Sequence, residues 1–402
     1  MMQSIPLLPQ LQYGFRVDGV DGTAAGGDAP ATGGNPPPAV RGGQEKRFRI
    51  DPEFNPPSFA RSEGDARHPG QLAERIAAAL DKKGAPQPMM PARSIHVFES
   101  LDIHAFSHQT RAFLKIQDGC NQFCSYCIIP YARGAERSIA PAQAVSIART
   151  MAEHGHQEIV LSGIHTGRYG RDQGTTLLQL LKQLIDATPE QVRYRISSIE
   201  MNEIDDAFIA YMKQEPRIAR HLHIPIQAAS DEVLAAMNRP YDTAWFAQRM
   251  RDIRAQLPGI SISTDMIAGF PQESDEQFAQ ALELVEKELR FSFIHCFPYS
   301  RRDHTRAAQM SGHLPNQVKK ARAAQLGELS ERLHHAYMET FLGKQADVII
   351  ERRKEGMLFG YSSEYIPVYI PWTGDEMPRR AYVRLDGFCR EGMHASEMEV
   401  IS

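Results

Sequence analysis

The chain has 402 residues and a formal net charge of −4, which allows two or three domains and confines any nucleic-acid surface to a local patch. No apolar run approaches the ~20 residues of a membrane helix, and the opening MMQSIPLLPQLQYGF lacks a basic region ahead of a long apolar core. Five cysteines, three of them clustered, do not read as a disulfide framework, so a cytoplasmic protein without a membrane partner is expected.

Residues 1–94 read as a low-complexity or degenerate segment. Gly22–Gly43 (GTAAGGDAPATGGNPPPAVRGG) has almost nothing to bury and reads as linker or disordered chain. Leu72, Ile76 and Leu80 predict a short amphipathic helix, which three prolines between Gly84 and Pro91 then break. From Thr110 a strand–loop–helix pattern repeats six times. Strands are predicted over 112–116, 158–162, 194–198, 221–226, 260–267 and 291–297. Helices are predicted over 140–154, 176–187, 205–213, 231–237, 243–257 and 274–289. Read as continuous apolar runs, such strands argue a parallel sheet covered by helices, with chemistry at the strands' C-terminal ends. A long helix over 315–340 follows. Short strand signals from Ala346 onward (DVIIE, MLFGYS, YIPVYIP, RAYVRLDG, MEVIS) predict a small β-barrel.

Chemistry concentrates in Lys115–Gly134, KIQDGCNQFCSYCIIPYARG. Cys120, Cys124 and Cys127 stand at C-x₃-C-x₂-C spacing in one loop after the first strand. Three thiolates so placed wrap one face of a [4Fe–4S] cluster and leave one iron for another ligand. The competing reading is a structural zinc knuckle. Zinc wants four closed ligands, and His96, His104 and His108 do not stand at a zinc-ribbon spacing, so the iron–sulfur reading is favoured.

C-x₃-C-x-aromatic-C resembles the signature of radical S-adenosylmethionine (radical SAM) enzymes. With IIPYARG after the third cysteine, the run resembles the tRNA methylthiotransferases, above all those acting on threonylcarbamoyladenosine beside the anticodon. The resemblance runs from about Ile95 to the C-terminus. It implies an α/β fold, an open (β/α)₆ partial TIM barrel over 95–342, followed by a TRAM-like RNA-binding β-barrel over 343–402. It implies that Cys120, Cys124 and Cys127 hold a [4Fe–4S] cluster whose fourth iron binds S-adenosyl-L-methionine. A low-potential donor such as flavodoxin or ferredoxin is implied as a partner, besides tRNA. Tyr126 would lie against the adenine, or simply pack in the core. Ser162 and Gly163, in LSGIHTG, would let the backbone approach the methionine amino group. Glu200 would bond a polar group of the cofactor. Gln227 and Asp265 would join it, or serve as a helix cap or satisfied buried polar groups. Arg352, Arg353 and Lys354 would contact phosphate, or form an ordinary solvated turn.

Three departures from the family pattern bear on this. Relatives carry three further cysteines in an N-terminal domain, whereas residues 1–94 contain none; the domain is expected to be absent or altered. Ala228-Ala229 stands where the family reads Ser-Gly, and His304 where a glycine is usual. Cys296 and Cys389 read as buried small residues rather than ligands. The expected function is methylthio transfer to C2 of N6-threonylcarbamoyladenosine in tRNA. The alternatives are a protein that cleaves S-adenosylmethionine without inserting sulfur, or a non-catalytic RNA-binding relative.

Overall fold

The computed structural model describes Phe98, residues 110–389 and residues 392–401. The expectations for residues 1–94 lie outside them.

Two three-stranded parallel sheets make the larger part. β1 (Arg111–Lys115), β4 (Glu158–Ser162) and β5 (Arg193–Ile196) pair in that order. β6 (His221–His223), β7 (Ser261–Ala268) and β8 (Phe293–Pro298) form the second set. Backbone bonds join them: Tyr194 N–H donates to Arg217 O at 2.7 Å, and Ala219 N–H donates to Tyr194 O at 2.8 Å. Six parallel strands thus follow one another in chain order, as the partial-barrel expectation requires. Between β1 and β4, β2 (Gln117–Asp118) and β3 (Arg137–Ser138) pair antiparallel around a loop that carries α1 (Ile129–Arg133). The connecting helices are α2 (Pro141–Glu153), α3 (Leu177–Ala187), α4 (Asp206–Gln214), α5 (Asp231–Ala236), α6 (Thr243–Gln256) and α7 (Asp275–Leu284). Their starts are locally encoded. Pro141 occupies the first turn of α2, and capping boxes at Thr176/Gln179 and Ser274/Gln277 open α3 and α7.

The middles of β4, Ile159-Val160-Leu161, and of β1, Ala112-Phe113-Leu114, are continuous apolar runs; β5 and β6 alternate apolar and polar positions. Ala112, Leu114, Ile159, Leu161, Tyr194, Ile196, Leu222, Ile262 and Ile294 enter the main core. The intervening positions include Arg111, Glu158, Arg193, Arg195, His221, His223, Ser263, Asp265 and His295, with Phe113 and Val160 the apolar exceptions on β1 and β4. Successive side chains point to opposite faces of a strand, so one face packs under the helices and the other lines a polar lumen. A fully packed parallel sheet would bury apolar residues on both faces; a partial barrel that holds polar ligands does not.

After the short helix α8 (Arg306–Gln309), α9 (Asn316–Glu339) lays Leu326, Leu329 and Leu333 on the main core. It leads into β9 (Gln345–Lys354), β10 (Met357–Ser362), β11 (Pro367–Pro371), β12 (Arg380–Cys389) and β13 (Gly392–Val400). These close a five-stranded barrel, as expected, around Val348, Ile350, Leu358, Val368, Val383 and Leu385.

The small barrel meets the N-terminal ends of the parallel strands through buried charge. Glu158, the first residue of β4, is fully buried and accepts from Arg193 Nε at 2.6 Å and Arg195 Nε at 3.0 Å. Arg193 also donates to Asp347 O at 2.9 Å, and Arg195 to Ser362 O and Ser363 O at 3.0 and 3.1 Å. Arg111 pairs with Glu351, Arg380 clamps Asp347, and the Tyr365 ring stacks on His221 at 4.9 Å. Burial opposes ionisation of Glu158, but Arg195 and Arg193 overcome it and hold the carboxyl well below its usual range.

Replacing Glu158 by Gln leaves the buried Arg195 guanidinium without its carboxylate and Arg193 with Asp347 alone, so Glu158→Gln is expected to cost about 3–5 kcal/mol of stability, read from urea unfolding. Breaking the exposed Lys287–Glu283 pair should leave the midpoint where it is. The folded-state pKa of Glu158 lies below its unfolded value of roughly 4.3. Its contribution is therefore complete above that pH and is lost on acidification. Glu158→Gln should accordingly flatten the acid limb of a stability–pH curve.

Candidate metal centre

The cysteine loop leaves β2 through Gly119, whose φ is +73°. A Cβ there would lie 2.0 Å from Ala135 O, so only glycine fits. Asp118 pins the loop's base: Oδ1 accepts from Gly119 N–H, and Oδ2 accepts from Lys115 Nζ at 2.8 Å and Arg137 at 2.9 Å. Cys120 N–H donates to Gly134 O across the neck at 3.0 Å. The far side is tied to two helices of the barrel. Ser125 donates from N–H and Oγ to Met237 O and Ala236 O, at the end of α5, and its carbonyl accepts from Ala307 N–H on α8. The loop's shape is therefore set by the barrel.

Cys120 and Cys127 are half-buried and Cys124 is buried. Two cationic groups stand against the sulfurs. Arg239 Nη1 is 3.6 Å from Cys124 Sγ; the same guanidinium pairs with Glu200, donates to Pro225 O at 3.0 Å and bonds the Tyr241 hydroxyl. His165 Nδ1 is 3.6 Å from Cys120 Sγ, and its Nε2 is 3.0 Å from Glu203 Oε1. Burial raises the Cys124 thiol, with Arg239 pulling in the opposite direction. Burial and the neighbouring thiols push Cys127 up to about 11, against a backbone N–H from Ile129. Burial disfavours the His165 cation, but hydrogen bonds to Cys120 and Glu203 win and push it up to about 9. Thiols held this high ionise when a metal centre takes the proton's place.

Among the described residues, the metal-competent grouping whose ligand atoms all lie within 4.8 Å of one another is His223, Asp265 and His295, not the three cysteines. A zinc ion with ~2.3 Å bonds needs sulfurs only about 3.8 Å apart. The wider cysteine set, with two cationic neighbours, fits an anionic multi-iron cluster better than a single ion.

The other expected residues fall as follows. Ser162 ends β4, and Gly163 follows it so close to Gln117 that a Cβ would meet the Gln117 side chain at 3.0 Å. Glu200 follows β5 and engages Arg239, which ties it to Cys124. Tyr126 packs against the small cluster of Ala228, Met237, Phe270 and Tyr299. Gln227 is no helix cap; Ser230 occupies that place for α5. Instead its backbone bridges to β7, donating to Asp265 O at 2.9 Å, with φ +71°. Asp265 sits inside β7 with Oδ2 3.3 Å from His223 Nε2. Arg352, Arg353 and Lys354 lie apart from these, exposed at the end of β9. There Arg352 covers the Phe359 ring at 4.4 Å and Arg353 donates to Gly374 O at 2.7 Å.

Arg239, His165 and Glu203 were not anticipated. His165 lies two residues past Gly163 in LSGIHTG, so its place beside the loop had a local signal. Arg239 is 115 residues from Cys124 and had none. Two departures resolve. Ala228 and Ala229 are buried without positive φ, so the missing glycine brings no backbone strain. His304 has φ +68°, the left-handed region where glycine is at ease. Cys296 is half-buried, and burial pushes its thiol up to about 12.

The sequence matches the Radical SAM superfamily over residues 114–285. It is 40% identical over 295 residues to the threonylcarbamoyladenosine tRNA methylthiotransferase MtaB of Bacillus subtilis, covering 72% of this chain and 65% of that protein. The protein of the same name from Thermotoga maritima is 35% identical over 299 residues, 74% of this chain and 68% of the relative. A tRNA-2-methylthio-N(6)-dimethylallyladenosine synthase from Acetivibrio thermocellus is 35% identical over 243 residues, 60% of this chain and 50% of the relative.

Anaerobic reconstitution should give about four irons per chain at this site; zinc held by the cysteines in place of iron would refute it. Cys124→Ala should lose the iron while circular dichroism stays native. Arg239→Gln strands Glu200 and loosens the loop, so it should cost about 3–5 kcal/mol and lower iron retention. For His304, relief of the left-handed conformation outweighs glycine's entropy, so His304→Gly should gain up to about 1 kcal/mol, and His304→Val should lose about that much. Thermal melts of the two variants check the opposite signs.

Proposed function

This chain belongs to the threonylcarbamoyladenosine tRNA methylthiotransferase (MtaB) family, and from that premise we propose that it is a radical SAM enzyme transferring a methylthio group to C2 of N6-threonylcarbamoyladenosine next to the anticodon of tRNA. The observation that carries the proposal is the three-cysteine loop, tied by Ser125 to the end of α5 and by Arg239 to Glu200 and Pro225, which follow the C-terminal ends of β5 and β6. The chain spans 65% of the Bacillus relative's length.

Cys120, Cys124 and Cys127 would hold a [4Fe–4S] cluster, which when bound supplies the electron that cleaves a carbon–sulfur bond of S-adenosylmethionine. The chain's own residues position and shield. Arg239 and His165 place positive charge against the sulfurs. Tyr126, Ser162, Gly163, Glu200 and Gln227 border the proposed S-adenosylmethionine pocket. Gly163 keeps the backbone accessible there, and Tyr126 excludes water from the loop's inner side. Asp265 is proposed to border that pocket too, through Gln227, whose N–H its carbonyl accepts, while its carboxylate faces His223. A low-potential flavodoxin or ferredoxin is the proposed electron donor. No described helix is long and apolar enough to cross a membrane; a tRNA substrate implies a cytoplasmic enzyme.

Arg352, Arg353 and Lys354 are the proposed phosphate contacts of the small barrel. Deleting that barrel would also uncover Glu158 and its arginines, so charge removal is the cleaner test. Changing the three to Gln should weaken tRNA binding and lower the slope of log affinity against log salt by roughly 2–3. An unchanged slope would remove the patch from the interface.

The reaction is tested anaerobically with reductant, inorganic sulfide as the sulfur donor, S-adenosylmethionine as the source of the methyl group and of the radical, and tRNA lacking the methylthio group. Nucleoside mass spectrometry should show the 2-methylthio product together with 5′-deoxyadenosine, and neither with Cys124→Ala. 5′-Deoxyadenosine without a modified nucleoside would reduce the activity to cofactor cleavage; the absence of both would defeat the reading.

A further inference from the structure

The lumen holds a second constellation that the cysteine loop does not use. Asp265 on β7 and His295 on β8 are direct register partners, and His223 on β6 is the partner of Ser263, two residues before Asp265. Residues two apart on a strand share a face, so all three side chains point into the lumen. His223 Nε2 lies 3.3 Å from Asp265 Oδ2, and the ligand atoms of all three residues lie within 4.8 Å of one another.

We propose that His223, Asp265 and His295 form a binding site for one divalent first-row transition-metal ion. A simple His223–Asp265 ion pair would not require His295 to converge on the same point. The orientation of His223 is fixed from behind, as in known metal-binding histidines. Its Nδ1 is 2.9 Å from Ser263 Oγ, which leaves Nε2 as the nitrogen facing the carboxylate. Two imidazoles and one carboxylate, with no thiolate, select a borderline divalent ion over a soft monovalent one. They also leave coordination positions open for water or an oxygen ligand. None of the three ligands is a residue of the cysteine loop.

The site stands independently of the methylthiotransferase reading, because it needs neither S-adenosylmethionine nor tRNA. The test uses the full-length, cluster-loaded chain, kept anaerobic and titrated with Zn²⁺ by calorimetry. Zinc and iron are both counted after desalting. One zinc per chain is expected in addition to an unchanged iron content. His295→Ala and the isosteric Asp265→Asn should each weaken zinc binding at least 100-fold with iron content intact, whereas His335→Ala should bind as the parent does. Thermal melts establish that each variant is folded; should His295→Ala not fold, Asp265→Asn carries the comparison alone. Failure of the folded parent to bind zinc, binding unchanged in Asp265→Asn, or zinc gained only as iron is lost would each overturn the proposal.

Discussion

A carboxylate with no exposed surface, Glu158, sets the floor of this molecule. It stands at the start of β4, and Arg193 and Arg195 come from the neighbouring strand to meet it. Such a group survives burial only when paired and fully hydrogen-bonded. The remaining donors of the two arginines go to Asp347, Ser362 and Ser363 of the small barrel. The same charges that make the lumen polar therefore fasten the second barrel across its N-terminal end. The fold can keep a polar lumen because that end is closed by paired charge rather than by apolar packing.

The opposite end is organised by Arg239. One guanidinium reaches a cysteine of the loop, the carboxylate after β5, the carbonyl of Pro225 and the hydroxyl of Tyr241. A change at any of these is felt at the sulfur. His165 and Glu203 repeat the arrangement at Cys120. Both cationic groups are themselves matched by carboxylates, so the site carries local positive charge without a net excess. That suits an anionic centre, and it agrees with a chain whose overall charge is close to balance.

Local spacing made the cysteine loop legible, because the three ligands lie within eight residues and the chemistry follows from their number and type. The six strands were legible as strand–helix repeats, and the C-terminal barrel as short runs between turns. The lumen was not. RYRI and HLH show their alternation plainly, yet the middle of EIVLS reads as the continuous apolar run that it is, a helix after every strand argued for sheets buried on both faces, and the charges were passed over. Glu200 was found from its place after a strand, but Arg239, its partner, was not. That contact is made only when β5 and the segment after α5 are brought together by the closing barrel. His304 was marked as a departure from sequence alone; its left-handed φ supplies the reason.

The central claim is that the cysteine loop holds a cluster with one iron open to S-adenosylmethionine. Electron paramagnetic resonance of the anaerobically reduced, full-length chain tests it directly, recorded with and without S-adenosylmethionine carrying ¹⁵N at the methionine amino group. The account predicts a reduced [4Fe–4S] signal that shifts on addition and gains a hyperfine coupling to the label. A reduced signal indifferent to S-adenosylmethionine, or a chain with zinc and no iron signal, would contradict it.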